Sequence, residues 1–133
     1  MNIEDRKVLV NLQLHRAEKF LKQADEMLAA QHFDLAANRY YYACFHAIQG
    51  LFINDGIMRH THKGLHTTLG MNYVRNGKFD ARLSSIFRTM EQLREKADYN
   101  CAYDISEEEV RDMQEPSRQI INEVKRLLGG AVS

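Results

Sequence analysis

Apolar residues recur along the first part of the chain at helical steps: Val8, Leu12, Ala17, Leu21, Ala24 and Leu28 lie three to five residues apart, with Lys19, Lys22 and Glu26 between them. Such spacing gathers the apolar side chains on one face and predicts a long amphipathic helix from residue 3 to about residue 30. Gln31-His32-Phe33 interrupts the pattern, and Asp34 is placed as a cap or a first-turn acid. Residues 35–53 are then so rich in Ala, Tyr, Phe, Ile and Leu that no solvent side is marked. A helix that is apolar on most faces must be covered on most faces, so the second helix is expected at the centre of the fold. Asn54-Asp55-Gly56 ends it. A loop through Met58-Arg59-His60-Thr61 leads to a shorter third helix over residues 62–74, stopped by Asn76-Gly77.

A fourth helix is predicted over residues 80–97, with Leu83, Ile86, Phe87, Met90 and Leu93 on one face and Arg82, Arg88, Glu91 and Arg94 elsewhere. Residues 98–105 read as a loop. Ser106 followed by Glu109 forms a capping box, in which each residue's side chain meets the other's backbone N–H. It starts a fifth helix with the apolar stripe Val110, Met113, Ile120, Val124, Leu127 and Leu128, ending at Gly129-Gly130. Pro116 lies inside that stretch, so a kink or break near Glu115 is expected. Met58, Met71, Met90 and Met113, at helical positions, are assigned to the core. No strand signal, repeat or low-complexity segment appears, and the connections are short. The expected fold is all-α: an antiparallel bundle of four to five helices in one domain over residues 1–133.

Composition changes this picture little. The chain has 133 residues, 44% apolar and 27% charged, enough for a core without staples or metals. Eighteen basic and eighteen acidic residues cancel, so only a local patch could serve a nucleic acid or a membrane surface. Cys44 and Cys101 lie far apart with no CxxC or Cys/His spacing, and the start, Asn2 to Lys7, is charged rather than a signal peptide. Both cysteines are therefore expected as reduced thiols in a cytoplasmic protein. The longest apolar runs are far too short to span a membrane.

The candidate chemistry centres on Asn38-Arg39-Tyr40-Tyr41-Tyr42-Ala43-Cys44-Phe45-His46 in the second helix. Arg39 and His46 are seven residues apart, and at ~100° per residue seven steps return to within ~20° of the same face. An always-charged guanidinium and a titratable imidazole thus share one stripe. Ala43 and Gly50 on that stripe are small enough to admit another backbone or a ligand. Of the three consecutive tyrosines at most one faces the stripe, and the helical wheel favours Tyr42. The plainer alternative is an Arg39 paired with a carboxylate and a half-buried, satisfied His46.

Two further groups stand out. His62 and His66, at i,i+4, have the spacing by which two imidazoles share a zinc ion, with His60 nearby. No acidic or thiol partner lies within a few residues, so solvated or cap-forming histidines are the simpler reading and no metal is expected. His62-Lys63-Gly64 at a helix start could instead meet a phosphate through backbone donors and the lysine. Arg94 and Asp98, also at i,i+4, form either an exposed ion pair or a pair that orients Arg39 or His46 across the bundle.

The run from Asn38 through His46 to Ala47, with Thr61-His62-Lys63-Gly64 before the third helix and Leu93-Arg94-Glu95-Lys96-Ala97-Asp98-Tyr99 closing the fourth, resembles the HEPN superfamily, in its small stand-alone prokaryotic branch. Order and spacing match across roughly residues 10–128, and the family's pattern is an Arg, four to six residues, then a His. The resemblance implies a helical bundle that pairs two-fold, bringing the Arg39 and His46 of both copies into one cleft. Tyr42, His62, Lys63, Arg94 and Asp98 would then be substrate or supporting residues. Many members are metal-independent endoribonucleases that need no cofactor, often toxins whose antitoxin is a minimal nucleotidyltransferase. Others are non-catalytic modules that bind RNA, a nucleotide or a partner protein.

Two positions depart from the family's pattern. Tyr40 follows Arg39, where many catalytic members carry a polar residue. His46 is followed by Ala47, Ile48 and Gln49, where a modifiable tyrosine is expected, so no modification site is carried over.

Overall fold

A computed structural model describes residues 2–57 and 61–129. Five α-helices follow in chain order: α1 (Ile3–Ala29), α2 (Phe33–Asn54), α3 (His62–Leu69), α4 (Ala81–Tyr99) and α5 (Glu107–Leu128). A π-helical turn, Gly70–Val74, extends α3. There is no strand among the described residues, and the fold is an all-α bundle. No helix among them is long and apolar enough to cross a membrane. The expected loop residues Met58, Arg59 and His60, and Gly130 at the end of α5, lie outside the described residues.

Helix ends form where the side chains supply what the backbone lacks. The Asn2 side chain accepts from Asp5 N–H at 2.8 Å, and the Asp80 carboxylate accepts from Arg82 and Leu83 N–H. Ser106 and Glu109 make the reciprocal capping box. Each such cap is worth about 1 kcal/mol. Gln31, at φ 66°, takes the left-handed conformation that ends α1 and lets α2 turn back. Asp34 is a first-turn acid rather than the cap, and its carboxylate accepts from Ile105 N–H at 3.3 Å, tying the start of α2 to the approach to α5.

α2 is the axis of the molecule. Ala36, Ala37, Tyr40, Tyr41, Ala43, Cys44, Ala47, Ile48, Gly50, Leu51 and Phe52 are all buried, covered by α1, α4 and α5. Gly50 sits so close to α1 that an added Cβ would meet Gln13 Cβ at 3.4 Å and the Val10 carbonyl at 3.6 Å. The small residues of the stripe thus admit α1 of the same chain. An Asp25 carboxylate on α1 closes the other end. It accepts from the Tyr40 hydroxyl of α2 at 2.5 Å, and from Gln114 at 3.0 Å and Arg118 at 3.1 Å on α5. Tyr40 is therefore a packing residue pinned to α1, which accounts for an aromatic at the position after Arg39.

Three expectations change. The buried face of α1 is Val10, Leu14, Ala17, Leu21, Ala24 and Leu28, while Val8 and Leu12 are 58% and 61% exposed. α5 runs without a break through Pro116. Proline removes one backbone donor, and Met113, Ser117 and Ile120, buried on either side, hold the helix together across the gap. Met71, assigned to the core, is 59% exposed, because it lies two residues, about 200° of helix, from the buried Leu69, whereas Leu65, Leu69 and Tyr73 at steps of four share the covered face. Met90 and Met113 are in the core, and Met58 lies outside the described residues.

Candidate functional site

Arg39 and His46 leave α2 on the side that faces α1, and both settle on one aromatic ring. The Arg39 guanidinium lies over Phe20 with its carbon 4.6 Å from the ring centroid. His46 meets the same ring edge-on, 5.3 Å between centroids and 75° between planes. Two turns of α1 earlier, Gln13 Oε1 lies 2.8 Å from His46 Nδ1. Residues 13, 16 and 20 share a face of α1 by helical spacing, so the α1–α2 packing places Gln13, Arg16 and Phe20 along the Arg39/His46 stripe.

The electrostatics separate the two groups. Among the described residues Arg39 pairs with no carboxylate, and its Nε is buried without a hydrogen-bond partner. A permanent positive charge is held against an aromatic face, which attracts a cation by about 0.5–2 kcal/mol and leaves its outward N–H groups for an anion. His46 is half-buried. Burial, and then the charge of Arg16, lower its pKa from 6.5 to about 4, against a smaller upward pull from Gln49. At neutral pH it is an uncharged imidazole beside a free guanidinium.

Tyr42 continues the site. Its ring is half-buried, 6.4 Å from His46 and 6.0 Å from His62, and packs edge-on against Phe45. Tyr40 and Tyr41 are fully buried, so Tyr42 is the tyrosine of the run that borders His46. Beyond it, His62 stacks on Phe45 at 4.6 Å and shares a 2.8 Å hydrogen bond between its Nδ1 and the Tyr41 hydroxyl. Burial and the Arg94 charge lower the His62 pKa, and burial pushes Tyr41 strongly up. Arg94 lies over Tyr41 and Tyr42, at 5.2 and 5.6 Å, and is paired with Asp98 at 2.9 Å.

The residues singled out in the sequence thus fall into three places. Arg39, His46 and Tyr42 come together. His62, Arg94 and Asp98 form an adjoining cluster that reaches His46 only through Tyr42 and Phe45. Arg94 and Asp98 support the tyrosines and touch neither Arg39 nor His46. Lys63 is apart, lining a polar cleft of about 210 Å³ with His66, Arg88, Glu91, Gln92 and Glu95. There the buried His66 contacts Glu91. Burial lowers His66 to about 4 and raises Glu91, so both tend to the neutral form. His62 has one ring nitrogen committed to Tyr41, and His66 lies against Glu91. His60 lies outside the described residues. Among the described residues no three His, Cys, Asp or Glu side chains come together in a way that could hold a metal ion. Cys44 is buried with its thiol pushed up to about 12, and Cys101 is exposed; both are free.

Gln13, Arg16 and Phe20 were not found from the sequence. Nothing local marks them, since their role depends on α1 lying along α2. A usable signal was present: a glutamine, an arginine and a phenylalanine on one face of α1, next to the stripe that packs on the core.

Two curated relatives resemble the chain over most of its length. A Thermotoga maritima protein named only "UPF0332 protein" is 23% identical over 126 residues, covering 95% of this chain and 96% of its own. A Methanocaldococcus jannaschii protein named "Putative toxin" is 23% identical over 115 residues, 86% of this chain and 78% of its own. The HEPN domain family pattern matches residues 10–127, from the first buried position of α1 to the last turn of α5, and so includes Gln13, Phe20, Arg39 and His46. The chain belongs to the HEPN domain family.

Proposed function

We propose that this protein cuts RNA without a metal, as a homodimer whose two Arg39/His46 pairs share one cleft, and that it is the toxin half of a toxin-antitoxin pair acting in the cytoplasm. The observation that carries the reading is the unpaired Arg39 guanidinium held on Phe20 beside a neutral His46. The name of the Methanocaldococcus relative supports the toxin assignment.

The chemistry follows from the two groups. His46 of one copy takes the proton of an RNA 2′-hydroxyl, and the 2′-oxygen bonds to phosphorus. The P–O5′ bond breaks, and the leaving oxygen takes a proton from the imidazolium of the second copy's His46. The two guanidiniums hold the phosphate oxygens and stabilise the charge that grows on them. Tyr42, bordering His46, offers a ring on which a neighbouring base can stack. The exposed apolar face of α1, Val8 and Leu12, adjoins Gln13 and Arg16 and is assigned to the second copy. The products end in a 2′,3′-cyclic phosphate and a 5′-hydroxyl.

The test is incubation of purified protein with single-stranded and structured RNA in EDTA, alongside Arg39→Ala and His46→Ala. Cyclic-phosphate products that vanish in both variants are expected. Equal cutting by the variants would sink the proposal.

One observation favours a second reading. Burial keeps His46 neutral, and two neutral imidazoles provide no acid for the leaving oxygen. In that reading the cleft binds RNA or a nucleotide without cutting it, or seats a minimal nucleotidyltransferase partner. It predicts no cleavage at any pH, together with a thermal shift in ATP or a stable complex when the two proteins are co-expressed.

A further inference from the structure

The hydrogen bond between α1 and His46 fixes more than the position of the imidazole. Gln13 approaches Nδ1 through its carboxamide oxygen, at 2.8 Å. A carbonyl oxygen only accepts, so the hydrogen must be on Nδ1. In a neutral imidazole the other nitrogen then holds the lone pair. This is the reverse of the tautomer that dominates for a histidine side chain in water, so some feature of the protein has to impose it.

The other neighbours of His46 act on the ring in different ways. Phe20, Phe45 and Tyr42 surround the ring with aromatic edges and faces. Arg16 acts on it as a charge, which disfavours the imidazolium without choosing between nitrogens. Gln49, on the following turn of α2, also makes a side-chain hydrogen bond to the ring, one that favours its protonated form. No carboxylate acts on the imidazole.

We infer that Gln13 is a positioning residue: its carboxamide holds His46 in the Nδ1–H form, which makes Nε2 the atom that takes the 2′-hydroxyl proton. The last clause rests on the ribonuclease reading, whereas the tautomer does not. The proton leaves the 2′-oxygen for Nε2 as that oxygen bonds to phosphorus, and the P–O5′ bond breaks with the 5′-oxygen taking the Nε2 proton of the second copy's His46 in its imidazolium form. Gln13 itself neither gains nor loses a proton.

The experiment uses the full chain labelled with ¹⁵N-histidine, with long-range ¹H–¹⁵N correlations recorded at about pH 7. His46 signals are identified by their loss in His46→Ala. Wild type is expected to show a protonated Nδ1 and an unprotonated Nε2. Gln13→Leu, with no acceptor, is expected to move the hydrogen largely to Nε2. Gln13→Glu is expected to keep it on Nδ1 and, by adding a negative charge, to raise the His46 titration midpoint by about one pH unit or more. Chemical-shift dispersion of the other histidines shows whether each variant is folded, and Gln13→Glu preserves the shape if Gln13→Leu does not.

On RNA, Gln13→Leu is expected to lower kcat by about 10- to 100-fold with little change in KM, a range typical of lost ligand-orienting bonds. Gln13→Glu should restore most of kcat with the acid limb of the pH profile moved to higher pH. A wild-type His46 with its hydrogen on Nε2, or a Gln13→Leu spectrum identical to wild type, would overturn the inference. A wild type with the expected tautomer that cuts no RNA would uphold Gln13's role and overturn the ribonuclease reading alone.

Discussion

Among the described residues three imidazoles, His46, His62 and His66, sit in surroundings that oppose their charge, His46 and His66 the most strongly. His46 is flanked by Phe20, Phe45 and Tyr42 with Arg16 near, and His66 is buried between Tyr41 and Phe87 with Arg88 and His62 near. Both are lowered to about 4, whereas an unfolded chain protonates near 6.5. Between those values the unfolded state binds more protons, so stability is full above about pH 6.5 and is lost as pH falls toward 4. Glu91 works in the opposite direction. Its pKa is raised, so its contribution is present at low pH and lost as pH rises through the folded value. With three histidines against Glu91, the thermal midpoint should fall steadily from pH 6.5 to 4.5, and His46→Asn should remove part of that slope. A flat or rising midpoint over the window would contradict it. The sequence placed His46 on a stripe with Arg39 but not its protonation state, which depends on side chains of α1 and on the following turn of α2.

At the scale of helices, the Asp25 clamp matters more than its exposure suggests. One carboxylate on α1 receives the Tyr40 hydroxyl from α2 and the Gln114 and Arg118 side chains from α5, so three helices meet at a single acceptor group. Its removal takes the acceptor from a fully buried phenol hydroxyl and leaves only Gln114 beside it, which costs more than the hydrogen bond itself contributes. Asp25→Ala should destabilise by about 2–3 kcal/mol, and Tyr40→Phe, which orphans nothing buried, by about 1 kcal/mol. Urea unfolding of the two variants checks this, and equal losses would mean that the clamp does not bury its donor as described. Helix limits were legible wherever side chains write them, as at Asp80 and at Ser106 with Glu109. The buried face of α1 was not. Val8 and Leu12 carry the same helical spacing as Val10 and Leu14, and only the docking of α2, close enough to touch Val10 and Gln13 at Gly50, decides which set is covered.

That undecided face of α1 bears on the whole molecule. Ile3, Val8 and Leu12 are 74%, 58% and 61% exposed, and shallow hollows run from Val8, Asn11, Leu12 and His15 to Leu9, Gln13 and Arg16, the last two at His46. Half of the site was therefore legible and half was not: Arg39, Tyr42 and His46 are local to one helix, while Gln13 and Phe20 come from a separate helix that no spacing rule links to them. A second copy covering this face would lie against the Gln13–His46 end of the site, and with zero net charge two copies meet without long-range repulsion. An exposed residue that packs on nothing within its own chain tolerates a charge, whereas a face desolvated by a second copy does not. Val8→Lys with Leu12→Lys should leave helix content unchanged, convert a dimer to a monomer in light scattering, and abolish RNA cleavage with Arg39 and His46 intact. A double variant that is still dimeric would place the two-fold axis on another face, and a monomer that still cuts RNA would show that one Arg39/His46 pair suffices.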